Sequence, residues 1–504
     1  MPVFTRKTIT AADLSCDVCI IGSGAGGATL AAGLVERGLD VIMLEAGEYD
    51  TQKDFDMNET TAFQRRYQEK GLRATEDLAI TILQGRGVGG STTINWTSCF
   101  RTPDRILDLW AHRHGVDTLS SELLRPHFEA IEKRLSIQTW PEELINANNQ
   151  TLWKGANKLG WNVEPLRRNV LGCMNSGYCG MGCPADAKQG MLLTYIPDAL
   201  EKGLRLYANT KAEKLVEKNG KIDHIEVSVS GSDTRFNIRP KICVSSCGAV
   251  NGPALFLRSE INDNGRVGLR TFLHPVAGVA AIFPAAVNGW YGAPQSVSSH
   301  EFIDRGPNKV GFFLEHAPTH PVLAATASSG FGVSQQRFMQ NLYRASFVLA
   351  LHVDGILDSD QGGRVTVGSN GRIYVNYPIS DALKEGFQES MKRMIEVSLA
   401  AGAEDTMTLH TVPIHVRKMD EINQLDSAEY GALKHGLFSA HQMGGLTMGG
   451  DPSSSVVNPS LQHHRITNLF VVDGSVFPTA LGVNPSESIY GLAHWARDIV
   501  SQAI

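Results

Sequence analysis

The chain has 504 residues, 42% hydrophobic and 19% charged, with 46 Lys and Arg against 52 Asp and Glu for a formal net charge of −6. This is longer than one typical domain, too apolar for disorder, and too acidic to expect a nucleic-acid surface. No run approaches the roughly 18 apolar residues of a membrane span, and no apolar segment with a cleavage site opens the chain. A cytoplasmic location is expected, with contact at the periphery of the inner membrane left open. Eight Cys in a chain of this size do not make a disulfide framework.

In chain order, residues 18–21 form a short apolar run expected to be a buried parallel strand. A Gly-rich turn follows, then a helix over 28–37 and a second apolar strand at 41–44. Cys16 and Cys19 fall on the first strand, with side chains expected on opposite faces. Residues 48–80 are polar and irregular, 104–135 are expected to be helical, and a Cys-bearing loop spans 171–190. Alternation over 204–246, with turns near Asn219–Gly220 and Ser230–Gly231, predicts a β-meander, followed by a strand at 242–245 and a helix near 252–258. Strand-like pieces at 309–314, 345–352 and 373–377 and a helix near 380–402 occupy a mixed central region. Its aromatic and aliphatic residues, Phe312, Phe313, Tyr343, Phe347 and Leu349, are read as strand core rather than pocket. A strand at 469–472 and a helix from Ser486 close the chain.

Three segments carry chemistry. Gly22-Ser23-Gly24-Ala25-Gly26-Gly27 fits G-x-G-x-x-G between a strand and a helix. Gly22 permits the tight turn, Gly24 lets the backbone approach a pyrophosphate, Gly27 lets helix and strand pack closely, and Ala25 opens the helix. Glu45, followed by Ala46, ends the second strand where an acid accepts hydrogen bonds from a ribose diol. A second Gly-rich loop runs from Gly85 to Asn95 and includes Gly87, Gly89, Gly90 and Ser91. A nicotinamide dinucleotide does not require such a loop. A flavin does, because its pyrophosphate and ring both need close backbone approach. Asp473-Gly474 follows the late strand and suits ribityl hydroxyls or phosphate-bound water.

The stretches CDVCIIGSGAGGATLAAGLVERGLDVIMLEAG, GRGVGGSTTINW, KICVSSCGAVNGPALFLRS, SAHQMGG and NLFVVDGSVFPTALGVNPSESIYGLA resemble the glucose–methanol–choline (GMC) oxidoreductase family, in its order and at both ends of the chain. The resemblance implies an α/β fold: a Rossmann-like FAD-binding domain, discontinuous over 1–274 and 436–504, plus an α+β substrate lobe with an antiparallel sheet over 275–435. It implies oxidation of a primary or secondary alcohol, or of a sugar hydroxyl, with hydride passed to flavin N5 and then to O2, a quinone or a cytochrome. His441 would be the base and Asn484, followed by Pro485, would orient the hydroxyl. An imidazole suits that proton transfer near neutral pH. Residues 91–95 contain no His for a flavin link, so non-covalent FAD is expected. His274 is expected to be structural. Cys173, Cys179 and Cys183 resemble the iron–sulfur segment of flavin sugar dehydrogenases. The continuation Gly182-Cys183-Pro184 to Gln189 instead resembles long-chain alcohol oxidases, which need no cluster. A sugar dehydrogenase wired through a cluster and a redox-silent, lyase-type relative stand as alternatives.

Overall fold

The computed structural model describes residues 3–504. Among these residues an eight-stranded sheet runs in the order Val3–Phe4, Arg205–Tyr207, Val41–Leu44, Leu14–Ile21, Arg235–Ser245, Lys221–Val229, Thr210–Lys218, with Leu469–Val471 also paired to Arg235–Ser245. The strands around Leu14–Ile21 are parallel. The helix Ala25–Glu36 packs against the terminal helix Ser486–Gln502 and buries ten of its twelve residues. This is the expected βαβ unit, and the last segment of the chain completes its sheet.

The expected meander and the expected strand at 242–245 are joined. Arg235–Ser245 is one eleven-residue strand whose first half alternates exposed and buried and whose last four residues are all buried. The alternating half pairs antiparallel with Lys221–Val229, and the continuous half lies between Leu14–Ile21 and Leu469–Val471 as a parallel strand. Alternation suits a sheet with one wet face, and an unbroken apolar run suits one covered on both faces.

Cys16 and Cys19 are both buried on Leu14–Ile21, which runs beside Arg235–Ser245 in unbroken register. The stretch 48–80 holds more order than expected. Helix Glu59–Arg66 is capped by Asn58, whose side chain accepts the Thr61 amide, and buries Ala62 and Arg66.

A second, largely antiparallel sheet contains Phe312–Ala317, Ala345–His352, Val276–Ile282, Asp405–Thr408 and His415–Val416, in that order, with Phe438–Ser439 paired to Val276. Helix Asp381–Ala400, capped by Ser380, lays Leu383, Phe387, Met391, Met394 and Ile395 against it. Every residue of Phe312–Ala317 and Ala345–His352 is buried. Polar side chains on these strands must therefore find partners inside the protein. Among the described residues no helix is long and apolar enough to cross a membrane.

Candidate active site

One cavity of about 530 Å³ runs from the Gly-rich turn after the first strand to the face of the second sheet. At one end it is walled by backbone. A Cβ on Gly22 would lie 2.2 Å from the Ser246 carbonyl oxygen, one on Gly26 1.9 Å from that of Val472, and one on Gly27 2.0 Å from that of Gly22. Only glycine fits these contacts. The two Gly-rich loops meet directly, since a Cβ on Gly90 would lie 2.7 Å from the Gly24 Cα.

Side chains tie this backbone together. Ser23 Oγ donates to Glu45 Oε2 at 2.6 Å and accepts the Gly89 amide at 3.1 Å. Glu45 Oε1 accepts the amides of Gly47 at 2.9 Å and Gly87 at 3.3 Å. Asp473 accepts the Ser475 amide at 2.8 Å and the Gly248 amide at 2.7 Å, and burial raises its carboxyl above the usual range. Gly22, Gly24, Ala25, Glu45 and Ala46 line the cavity, as do Gly90, Ser91 and Asn95 from the second loop and Asp473, Gly474 and Pro485 from the late segment. Gly27, Gly87 and Gly89 do not line it. Gly27 serves helix–strand packing, and the other two give their amides to Glu45 and Ser23.

His441 and Asn484 line the same cavity at its other end. His441 Nδ1 is 3.0 Å from His274 Nδ1, and burial pulls the His441 imidazole down to about 4, so it is neutral near pH 7. Asn484 Nδ2 donates to Glu315 Oε2 at 3.3 Å. The same oxygen accepts Gln295 Nε2 at 2.6 Å, and Ser98 Oγ donates to Gln295 Oε1 at 2.7 Å. Among the described residues Glu315 has no counter-ion, and burial pushes its carboxyl up to about 8. Val276, Leu349, Leu351, Phe438 and Trp96 supply an apolar wall. Phe312, Phe313 and Phe347 are core, as expected, whereas Tyr343 is 47% exposed and Leu349 reaches the cavity.

Sequence reasoning passed over Glu315 and Gln295. Glu315 carries a readable signal, an acid within the apolar run Phe312-Phe313-Leu314, because a carboxylate on a doubly covered strand must have a special partner. Gln295 lies in a loop with no periodicity to expose it.

The expectation of a metal at Cys173, Cys179 and Cys183 is corrected. Among the described residues no group of three or more His, Cys, Asp or Glu is gathered to hold a metal. Lys188 organises the loop instead. Its buried ammonium donates to the carbonyls of Thr93 at 2.5 Å, Asn95 at 3.1 Å and Cys179 at 2.7 Å, and burial brings it down to about 8. The Cys loop is thereby stapled to the second Gly-rich loop. Cys179 is buried, and burial raises its thiol. A resemblance in spacing suggests ligands, but convergence is a tertiary property.

The residues present fit a dinucleotide. The glycine cradle has no room for side chains, and Asn95 Oδ1 and Asn484 Oδ1 are buried polar atoms of cavity-lining residues with no partner. The fold and this cavity define a flavoprotein oxidoreductase. The chain belongs to the GMC oxidoreductase family, whose N-terminal pattern matches residues 63–276 and whose C-terminal pattern matches 359–493. It is 29% identical over 507 residues to the long-chain-alcohol oxidase FAO4A of Arabidopsis thaliana, an alignment covering 95% of this chain and 68% of that protein. It is 24% identical over 568 residues to the 2-methyl-1,2-propanediol dehydrogenase of Mycolicibacterium austroafricanum, covering 98% and 96%. Among solved structures, pyridoxine 4-oxidase from Mesorbium loti superposes with a TM-score of 0.73 at 17% identity, covering 97% of this chain and 99% of that one. Formate oxidase from Aspergillus oryzae, as a variant, superposes with a TM-score of 0.74 at 14% identity, covering 98% and 99%. These last two likenesses concern the fold.

Proposed function

We propose that this protein is an FAD-dependent alcohol oxidase acting on apolar, long-chain alcohols, with His441 as the base. The observation that carries the proposal is that His441 and Asn484 line the cavity that begins at the glycine cradle. FAD, when bound, supplies the hydride acceptor at its N5 atom. The glycine cradle, Ser91 and Asn95 hold it without a covalent link, and Glu45 still has lone pairs for a ribose diol beyond those that accept amides.

The chain's own part is proton handling and orientation. His441 takes the hydroxyl proton at Nε2, since Nδ1 is engaged by His274. A neutral imidazole is the required starting state, and burial provides it. Asn484 gives one Nδ2 hydrogen to Glu315 and has the second for the substrate oxygen, where it opposes the charge that builds. Loss of that proton together with the hydride leaves an aldehyde or ketone. The apolar wall of Val276, Leu349, Leu351 and Phe438 suits an alkyl chain better than a sugar. The likeness to long-chain-alcohol oxidases supports the same substrate class and O2 as acceptor.

The test is anaerobic addition of a long-chain primary alcohol to the holoenzyme. Bleaching of the flavin absorbance, followed by one H2O2 per alcohol once air is admitted, is expected. Flavin that stays oxidised with alcohols of every chain length would overturn the proposal. Bleaching that persists in air would retain alcohol oxidation and replace O2 with a quinone or cytochrome.

A further inference from the structure

His274 sits where local preference would not put it. Its φ is +49°, in the left-handed region that non-glycine residues rarely adopt. The surrounding structure holds it there. The amides of Leu273 and His274 donate to the two oxygens of Asp354 at 2.9 and 3.0 Å, and the Tyr377 hydroxyl donates to the same carboxyl at 2.6 Å. From the other side, Ser439 Oγ donates to the Leu273 carbonyl and accepts the His441 amide at 3.4 Å. These bonds bring two rings 167 residues apart in sequence into contact, nitrogen to nitrogen at 3.0 Å.

Two imidazoles meeting through Nδ1 atoms share one proton. His274 is fully buried. Burial, helped by His441, His352, His300 and Arg105, holds it well below the ordinary range, and it stays neutral. If the shared proton belongs to His274, His441 turns an N–H toward the cavity and can only donate. If it belongs to His441, Nε2 faces the cavity as a bare lone pair. His274 then carries its own proton on Nε2, which has no polar partner and belongs to a ring 5.4 Å from that of Phe313. An N–H beside an aromatic ring has a weak acceptor there.

We propose that His274 is the positioning residue of this site, accepting the Nδ1 proton of His441 so that Nε2 is presented as a base. The proposal rests on the reading of His441 above. The hydroxyl proton goes to Nε2 while the Nδ1 proton stays shared with His274. That bond strengthens as His441 becomes an imidazolium, because a charged donor makes the stronger hydrogen bond.

The test has two arms. In the 15N-histidine spectrum of the wild-type holoenzyme, with His441 assigned by its loss in His441→Gln, Nδ1 should be the protonated nitrogen and Nε2 the bare one. The reverse pattern would overturn the proposal. In the kinetic arm, His274→Ala should retain FAD and lose about 10²-fold in flavin reduction, the lower range of an acid–base effect. His274→Asn keeps an acceptor near the Nδ1 position and tolerates the positive φ, so it should recover most of that loss. Equal rates in the two variants, fast or slow, would overturn the acceptor role. The two readings fail separately: a His441→Ala variant that reduces flavin normally removes His441 as base but leaves the tautomer result standing.

Discussion

At the nucleotide end of the cavity, Ser23, Glu45 and Asp473 direct their side chains to backbone amides of the loops that form the cradle. Among the described residues, Asn484 Oδ1, Glu315 Oε1 and His274 Nε2 at the proposed catalytic end are buried with no partner, and in the second Gly-rich loop Asn95 Oδ1 is the exception that awaits a ligand. Burial shifts ionisable groups at both ends, and in the cradle it raises Asp473. Glu315 is pushed up to about 8 and His441 pulled down to about 4, each chiefly by burial. A backbone cradle can be complete before its ligand arrives, because glycine packing and amide bonds define it. A reacting site must keep polar atoms uncommitted, and the folded chain bears the cost of burying them.

That contrast can be broken, most sharply by His441→Ala. Flavin reduction should fall about 10²–10⁴-fold while FAD occupancy stays intact, read by stopped-flow absorbance on the holoprotein. A variant that reduces normally, or that simply loses its flavin, would merge the two ends. Gly26→Ala should do the opposite. Its Cβ would meet the Val472 carbonyl at 1.9 Å, and overpacking of this kind costs about 1–3 kcal/mol. Denaturant titration should detect the loss, and molecules that keep FAD should turn over normally. Glu45→Ala is expected to weaken FAD retention about tenfold, the scale of one lost charge-assisted hydrogen bond. Unchanged occupancy after gel filtration would remove its ribose role.

Glu315→Gln sharpens the comparison through pH. The folded Glu315 holds its proton up to about 8, whereas an ordinary Glu releases it near 4.5. Between those values the folded state binds more protons than the unfolded, so stability declines as pH rises through that window. Gln should abolish that slope and any alkaline loss of activity near pH 8, while matching wild type within a few-fold at pH 7. The smallest effect is expected from Cys173→Ser with Cys183→Ser, two partly exposed thiols. The visible spectrum and flavin reduction should be unchanged, and loss of an iron-dependent absorbance would reverse the correction made above.

The first βαβ unit was legible because its signals are local. An apolar run, glycines at turn positions and an acid at the next strand end lie within about thirty residues, the length of one such motif. The same holds for the helix Ser486–Gln502 and for the alternating half of Arg235–Ser245. The Cys loop shows where local reading stops. Its spacing permits a ligand set, but whether three thiols converge depends on the fold around them, where a buried Lys188 holds the carbonyls instead. The contact of His274 is equally hidden from local reading, since the ring it meets arrives from 167 residues away.

By itself, the amino-acid sequence determined the nucleotide half of this protein, because glycine geometry and strand–turn–helix order are properties of neighbouring residues. The resemblance points to His441 and Asn484, but only the tertiary structure decided what surrounds them. Glu315, Gln295 and His274 reach them from separate segments, and the protonation of the carboxyl and the two imidazoles depends on burial and on partners that chain order does not reveal.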